Sequence, residues 1–442
     1  MAFLLMPASA VVPLPGDRDR QTPQLRYSQP PFADSANAPS SSPCKAADLF
    51  RRSALAWLDG RLDTGLRYAA ASTEVECDES HEACELAPFW HIALLTKARE
   101  LEAGWRMLTA LEARRGKPQS PRMIATSQVI GGDLKFAMGR VDDGLAEVDE
   151  GLRIAEQCGA RSLLPTGYVA MALGALRRAD MRTCLHFVDK LAGEAVLGYF
   201  GQAAGAWVTA QATEARSGVD SAAGLIAGIV TNPLVLRQLL VSEPAAASWL
   251  VRAARKLGAH DLAKTTMTAA ATASVEHLQF SVIRGAALHA AGLIEEDPGK
   301  LLDAANLYPD RWCAASARED LAVLLAKRGA EKDNTIRVLE SALSTYTAVG
   351  ATRDASRVVN KLRDFGVRRS TIRTVDRDGL PHGLTNTEFA VAELVSQGHT
   401  NNEVARQLFI SRHTVAFHLK KVYQKMSVTS RVELAASWKE IQ

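Results

Sequence analysis

From about residue 46 to residue 365 the apolar positions read as one helix after another, and the breaks between the helices recur. A small residue followed shortly by Asp appears at Gly60/Asp63, Gly139/Asp142, Ala179/Asp180, Gly218/Asp220, Gly258/Asp261 and Gly329/Asp333. The gaps from Gly139 onward are 40, 39 and 40 residues, then 71 with Gly292 between, and the first gap, from Gly60, is two such periods. Helices flank each break, as at Met123 to Met138 before Gly139 and Gly144 to Gln157 after it. A helix pair recurring at this spacing predicts a helical-repeat solenoid, in which each pair buries its apolar face against its neighbours. The Gly is expected as the left-handed cap that ends one helix and the Asp as the cap of the next. An irregular helical bundle with evenly spaced turns is the alternative.

The pattern changes at both ends. Residues 1–45, rich in Pro, Ser, Ala and Gln, carry too little apolar surface to order themselves and predict a disordered tail. Residues 366–382, with Gly366, Gly379, Pro381 and alternating charges, predict a linker. From 383 onward the local signals agree. Thr385-Asn386-Thr387-Glu388 is a capping box followed by Phe389, Val391, Ala392, Leu394 and Val395, and Gly398 stops that helix. A second box, Thr400 to Glu403, opens a short helix; Ser411 caps a third, and the box Ser430 to Glu433 opens a fourth. In the third helix Val415, Leu419, Val422 and Met426 form one apolar stripe. His413, Phe417, Lys420, Lys421 and Gln424 then share the opposite face, and His418 falls at the edge of the buried stripe. A short helix, a brief turn and a longer basic helix make a helix-turn-helix, whose second helix enters the major groove of DNA.

Composition narrows the classes. With 47% hydrophobic and 23% charged residues the chain is globular, and with abundant Ala and 6% aromatics it predicts an all-α protein. A net charge of +3 does not mark a nucleic-acid binder by itself, so a basic patch has to be local. From Val404 to Val432 the charged residues are Arg406, Arg412, Lys420, Lys421, Lys425 and Arg431, with no Asp or Glu. The six cysteines lack the spacing of a disulfide scaffold, and the apolar start MAFLLMPASAVVPLP has no basic residue before it. No run of 18 apolar residues occurs. A cytoplasmic protein is expected.

The carboxy-terminal stretch resembles the LuxR/FixJ-type DNA-binding domain, a four-helix module. The matching positions are Leu384-Thr385, Glu388, Gly398, Asn401, Glu403-Val404-Ala405, Leu408, Ile410-Ser411, Thr414-Val415, His418, Lys425 and Ser430-Arg431. The resemblance implies base reading from the third helix at Ala416, Phe417 and Lys420, which His413 and Gln424 join on the outward face. It implies phosphate contacts at Thr400, Asn401, Thr414 and Lys421; Ser411, Arg412 and Lys425 are assigned there with them. It implies a dimer contact on the last helix, to which Arg431, Leu434 and Trp438 are assigned. Three positions depart from the family: Ala416 where a basic residue is common, Thr387 where Arg is, and Ser427 where Gly is. Ala416 puts one base contact in question. Leu343 to Arg369 is similar to the segment preceding this domain in large actinobacterial LuxR-type regulators, the MalT-like group with a tetratricopeptide-like superhelix.

Those regulators usually begin with an ATPase module, but the chain has no G-x-x-x-x-G-K-[ST]: Gly116-Lys117 is followed by Pro118 and Gly299-Lys300 by Leu301. No G-x-S-x-G or H-E-x-x-H occurs either, so no enzyme activity and no cofactor are expected. Cys77, His81 and Cys84 would share one face of a helix, with His91 a turn and a half further on; the spacing is open to a zinc site, to a Cys77–Cys84 disulfide and to an acidic exposed inter-helix segment, and no metal is expected. The functional expectation is a sequence-specific DNA-binding regulator, an activator acting as a homodimer on promoter DNA. RNA polymerase and a protein or small-molecule effector at the repeat region are its further partners. A repeat scaffold whose terminal module has lost DNA binding is the alternative, kept open by Ala416.

Overall fold

The computed structural model describes residues 44–75, 82–113, 120–193, 201–367, 384, 386–408 and 412–439. The expected tail and most of the expected linker lie outside them. Among the described residues all regular structure is helical. The chain divides into two compact units, Met1–Arg328 and Gly329–Gln442.

The first unit holds α1 (Lys45–Leu58), α2 (Leu62–Glu74), α3 (Glu82–Ala98), α4 (Leu101–Ala113), α5 (Pro121–Ala137), α6 (Val141–Cys158), α7 (Leu164–Arg177) and α8 (Met181–Gly193). It continues with α9 (Gly201–Ser217), α10 (Ala223–Thr231), α11 (Pro233–Ser242), α12 (Ala245–Lys256), α13 (His260–Glu276), α14 (Ser281–Glu295), α15 (Pro298–Leu307) and α16 (Arg311–Lys327). Successive helices pack as pairs, and α1, α3, α5, α7 and α9 also pack on one another in order, as do α12 and α14. That is the organisation of a helical-repeat array, in which each pair completes its core on the next.

The recurring break has one geometry. Gly60, Gly139, Ala179, Gly218, Gly258 and Gly329 all have positive φ, from 61° to 87°. After Gly60 the Arg61 N–H donates to Ala56 O at 2.8 Å and its own carbonyl accepts from Gly65 N at 2.9 Å, so Arg61 closes α1 and opens α2. Arg140, Asp180 and Ala259 do the same. The expectation that the Asp residues cap is therefore corrected. Asp63, Asp142 and Asp261 sit inside the first turn, where they favour the positive end of the helix, while the cap residue has no side-chain bond. Asp180, one residue after its break, does cap, accepting from Thr183 N at 3.2 Å. Gly292 is not a break: it lies within α14 against Leu301, and the chain turns instead at Glu296, φ 56°, with Asp297 capping α15.

Pairs are locked by local chemistry. Ser53 Oγ accepts from Trp90 Nε1 at 2.8 Å and donates to Gly65 O at 2.6 Å, tying α1, α2 and α3 together beneath Phe50. In α5 and α6 the helices approach until a Cβ on Gly132 would lie 2.6 Å from Gly144 O. No single helix among the described residues is long and apolar enough to cross a membrane.

The second unit holds the pair α17 (Lys332–Ala348) and α18 (Thr352–Asp364), then α19 (Asn386–Ser396), α20 (Asn401–Gln407), α21 (Arg412–Met426) and α22 (Arg431–Lys439). The last four share one core of Val391, Ala392, Val395, Val404, Val415, Leu419, Val422, Leu434 and Trp438.

Candidate nucleic-acid interface

The interface is built on α21, held by α19 and α20. Val415, Leu419, Val422 and Met426 are buried, as the stripe predicts. Ala416, Phe417, Lys420, Lys421 and Gln424 are exposed on the other side. Phe417 keeps 56% of its surface in solvent, the one exposed large aromatic among the described residues. Lys421 Nζ stands 4.5 Å from the Phe417 ring centre, so the ring face already holds a cation. His413 lies within the helix, and its side chain falls outside the described residues, as does Ser411.

At the amino end of α21, Arg412 and Ala416 line a concavity with Thr400, Asn401 and Asn402 at the start of α20. The second box forms as expected: Thr400 N donates to Glu403 Oε2 at 2.6 Å, and Glu403 N donates to Thr400 Oγ1 at 3.3 Å. The start of α20 and two residues of the first turns of α21, one of them a cation, thus line one concavity, which can accept a phosphate. The box at 430 forms with a shift: Glu433 N donates to Ser430 Oγ at 3.2 Å, but the Glu433 carboxylate reaches Thr429 N at 2.7 Å. The Thr429 and Ser430 donors hold the Glu433 pKa below its ordinary value.

Other site residues depart from expectation. Lys425 Nζ is 2.6 Å from Glu388 Oε2, and the Glu388 side chain is only 4% exposed. Its charge is matched inside the module, which tells against its assignment to phosphate; Glu388, expected in the first capping box, is the partner of that ammonium. Leu434 and Trp438 are corrected as well. Both are buried in the module's own core, with Trp438 against Phe389 at 5.0 Å between ring centres, so neither faces a second copy. Arg431 is drawn inward too: it donates to His399 O and to Asn401 Oδ1, the latter at 3.2 Å, bracing the turn before α20. His418 is half-buried; burial lowers its pKa, and Glu388, which favours the charged form, does not offset this. Sequence reasoning missed the Glu388–Lys425 and Asn401–Arg431 pairs, although all four residues stood in the matched pattern; complementary charge was an available signal for the first, and the second, a guanidinium on a neutral amide oxygen, had none.

Fold and site define a helix-turn-helix DNA-binding module. The sequence profile of bacterial regulatory proteins of the luxR family matches residues 382–437, so this segment is a LuxR-family domain. An HTH-type transcriptional regulator of Mycobacterium bovis is 49% identical over 51 residues, 12% of this chain and 6% of that protein. The transcriptional regulatory protein LiaR of Bacillus subtilis is 34% identical over 88 residues, 19% of this chain and 42% of that protein. The regulator AlkS of Alcanivorax borkumensis is 31% identical over 105 residues, 21% of this chain and 11% of its own length. The chain thus spans less than half the length of each of these relatives. Among solved structures, the TPR domain of P58(IPK) aligns over 86% of this chain and 99% of its own, with a TM-score of 0.22 and 13% identity, too slight a likeness to carry an argument.

Proposed function

We propose that the protein is a sequence-specific DNA-binding transcriptional regulator that lays α21 in the major groove. The observation that carries this is the outward face of α21, where Phe417, Lys420, Lys421 and Gln424 are exposed beside the Arg412–Thr400 concavity. Lys420 is the principal base reader and prefers guanine, about 1–3 kcal/mol for a well-formed contact. Phe417 discriminates through the thymine methyl, and Ala416 lets the backbone come close. Thr400, Asn401, Arg412, Thr414 and Lys421 hold phosphate, and Ser411 is assigned with them. Because binding rests on these charges, affinity falls steeply with salt.

Dimerisation on DNA uses α22, but through its outward residues. Val432, 79% exposed, and Ala436 one turn on replace Leu434 and Trp438 as the contact. The repeat region takes an effector, and the direction of regulation is activation, with RNA polymerase as partner; both follow the resemblance to large LuxR-type regulators. A gel shift across a salt series, wild type against Lys420→Ala, tests the reading. The expected result is tight low-salt binding that K420A weakens at guanine-containing sites. Absence of binding to any promoter fragment at low salt would favour the scaffold reading that Ala416 keeps open.

A further inference from the structure

Away from the DNA-binding module, two thiols meet at the edge of the first repeat. Cys44 Sγ and Cys84 Sγ lie 3.2 Å apart, 40 residues distant in sequence. Neither is in a disulfide, and both are half-buried rather than sealed in the core. Their backbones are held by the packing of α1 on α3, which the Ser53–Trp90 hydrogen bond and the Phe50–Trp90 ring contact fix. A disulfide needs about 2.05 Å between sulfurs, so closing the pair asks for a shift on the order of 1 Å, shared between two side chains.

The two sulfurs are not equivalent. Cys44 is the N-cap of α1: its Sγ accepts from Ala47 N at 3.4 Å and lies where the first amides of the helix point. A helix N-terminus favours the thiolate over the thiol, and the thiolate is the nucleophile. The other cysteines differ: Cys184 and Cys313 are buried, and burial together with Asp310 pushes the Cys313 thiol well up, which keeps it inert. Cys158 is exposed on α6.

We propose that Cys44 and Cys84 form a peroxide-responsive dithiol, in which Cys44 is attacked first and Cys84 resolves it. The Cys44 thiolate takes one oxygen of a hydroperoxide, breaking the O–O bond, and becomes a sulfenic acid; the other oxygen leaves as water, or as an alcohol from an organic hydroperoxide. The Cys84 sulfur then attacks the Cys44 sulfur and expels the second oxygen as water. The balance is two thiols and one hydrogen peroxide giving one disulfide and two waters. A small dithiol or an enzymatic thiol donor reverses it by exchange. The product would tether the first residue before α1 to the first turns of α3, closing the loop that contains α2.

The test uses the full chain with Cys158→Ser to remove the exposed cysteine. After treatment with an equimolar amount of hydrogen peroxide, free thiols are alkylated and the protein is digested without reductant. The expected result is loss of two alkylatable thiols and a linked peptide pair joining Cys44 to Cys84, both restored by dithiothreitol. In Cys84→Ser, Cys44 should stop at the sulfenic acid and be captured by dimedone; in Cys44→Ser, Cys84 should not. Serine is itself a good N-cap, so the Cys44→Ser chain is expected to keep its fold, checked by its helical circular dichroism. Retention of both alkylated thiols after peroxide, a linkage of Cys84 to Cys77 instead, or dimedone capture at Cys84 but not at Cys44 would overturn the assignment.

Discussion

At the scale of single residues, two positions in the DNA-binding module lead to opposite expectations on substitution, one through its backbone and one through its charge. Ser427 ends α21 with φ 55°, a left-handed conformation that costs an L-residue with a Cβ about 1–2 kcal/mol. Gly at this position removes that cost but gives back part of it through the larger freedom of the unfolded chain. The net expectation is that Ser427→Gly stabilises the module by about 0.5–1 kcal/mol in urea unfolding; a destabilised variant would show that the Ser side chain makes a compensating contact. Lys425 is the other case. Removing it leaves the Glu388 carboxylate buried without its ammonium, and breaking a buried pair costs about 3–5 kcal/mol. Since a third of the Lys425 side chain is exposed, Lys425→Met should cost about 2–3 kcal/mol, and much of that should return in Glu388→Gln/Lys425→Met. A Lys425→Met chain that folds normally but loses salt-dependent DNA binding would restore this lysine to the phosphate set.

At the scale of elements, the breaks were legible because positive φ selects glycine, and five of the six predicted breaks carry it. The Asp roles were misread for a physical reason. In this turn the residue after the glycine is the last of one helix and the first of the next, so an Asp caps only when it follows immediately, as Asp180 does. At Gly60, Gly139 and Gly258 the Asp comes later and falls in the first turn. The amphipathic stripe of α21 was legible for the same kind of reason: 3.6-residue periodicity fixes which side chains face inward, so Phe417 and the lysines had to face out. What the period does not convey is how closely two helices approach. In α5 and α6, Gly132 looks like a weak helix former, yet a Cβ there would sit 2.6 Å from Gly144 O and from Val148 Cγ2. Gly132→Ala should therefore destabilise the first unit by about 2 kcal/mol or more, although Ala is the better helix former, because overpacking outweighs propensity. Gly193, with open space around it, is the control, where Ala should be neutral or stabilising in the same thermal melt.

At the scale of the whole molecule, the first unit is held by a feature that no local pattern could announce. Lys97 Nζ lies 2.8 Å from Glu243 Oε1 and 3.4 Å from Asp133 Oδ2, and Arg99 reaches Asp310 at 3.2 Å and Glu243 at 3.7 Å. Arg177 stacks on Phe136 and Trp312 beside them, so three cations face three carboxylates around a cavity of about 20 Å³, room for roughly one water. Lys97 and Glu243 are 146 residues apart and Arg99 and Asp310 are 211, a separation at which sequence reading has no period to follow. Burial alone would push Glu243 and Asp310 up, but Lys97, Arg99 and Arg177 around Glu243, and Arg99, Arg177 and the Cys313 backbone N–H around Asp310, more than offset it and hold both below their ordinary values. Their contribution is therefore complete at neutral pH and is lost as pH falls through the acid range. His289, buried against Asp320 at 2.8 Å, has its pKa lowered from 6.5 by desolvation. A histidine that folding keeps neutral adds stability above its unfolded pKa and loses it as pH falls towards its folded one. The first unit should thus be flat in stability from about pH 6.5 to about pH 8, decline gently below that range, and decline steeply once the carboxylates protonate; on the alkaline side the buried Cys313 thiol and Tyr308 phenol, both pushed up by burial, make it decline again. Glu243→Gln should cost about 3–5 kcal/mol at pH 7 and flatten the steep limb while leaving the gentle one in place. Urea titrations at closely spaced pH values separate the two limbs, and an E243Q chain within about 0.5 kcal/mol of wild type at pH 7 would show that packing of the helix pairs, not the buried ions, holds distant repeats together.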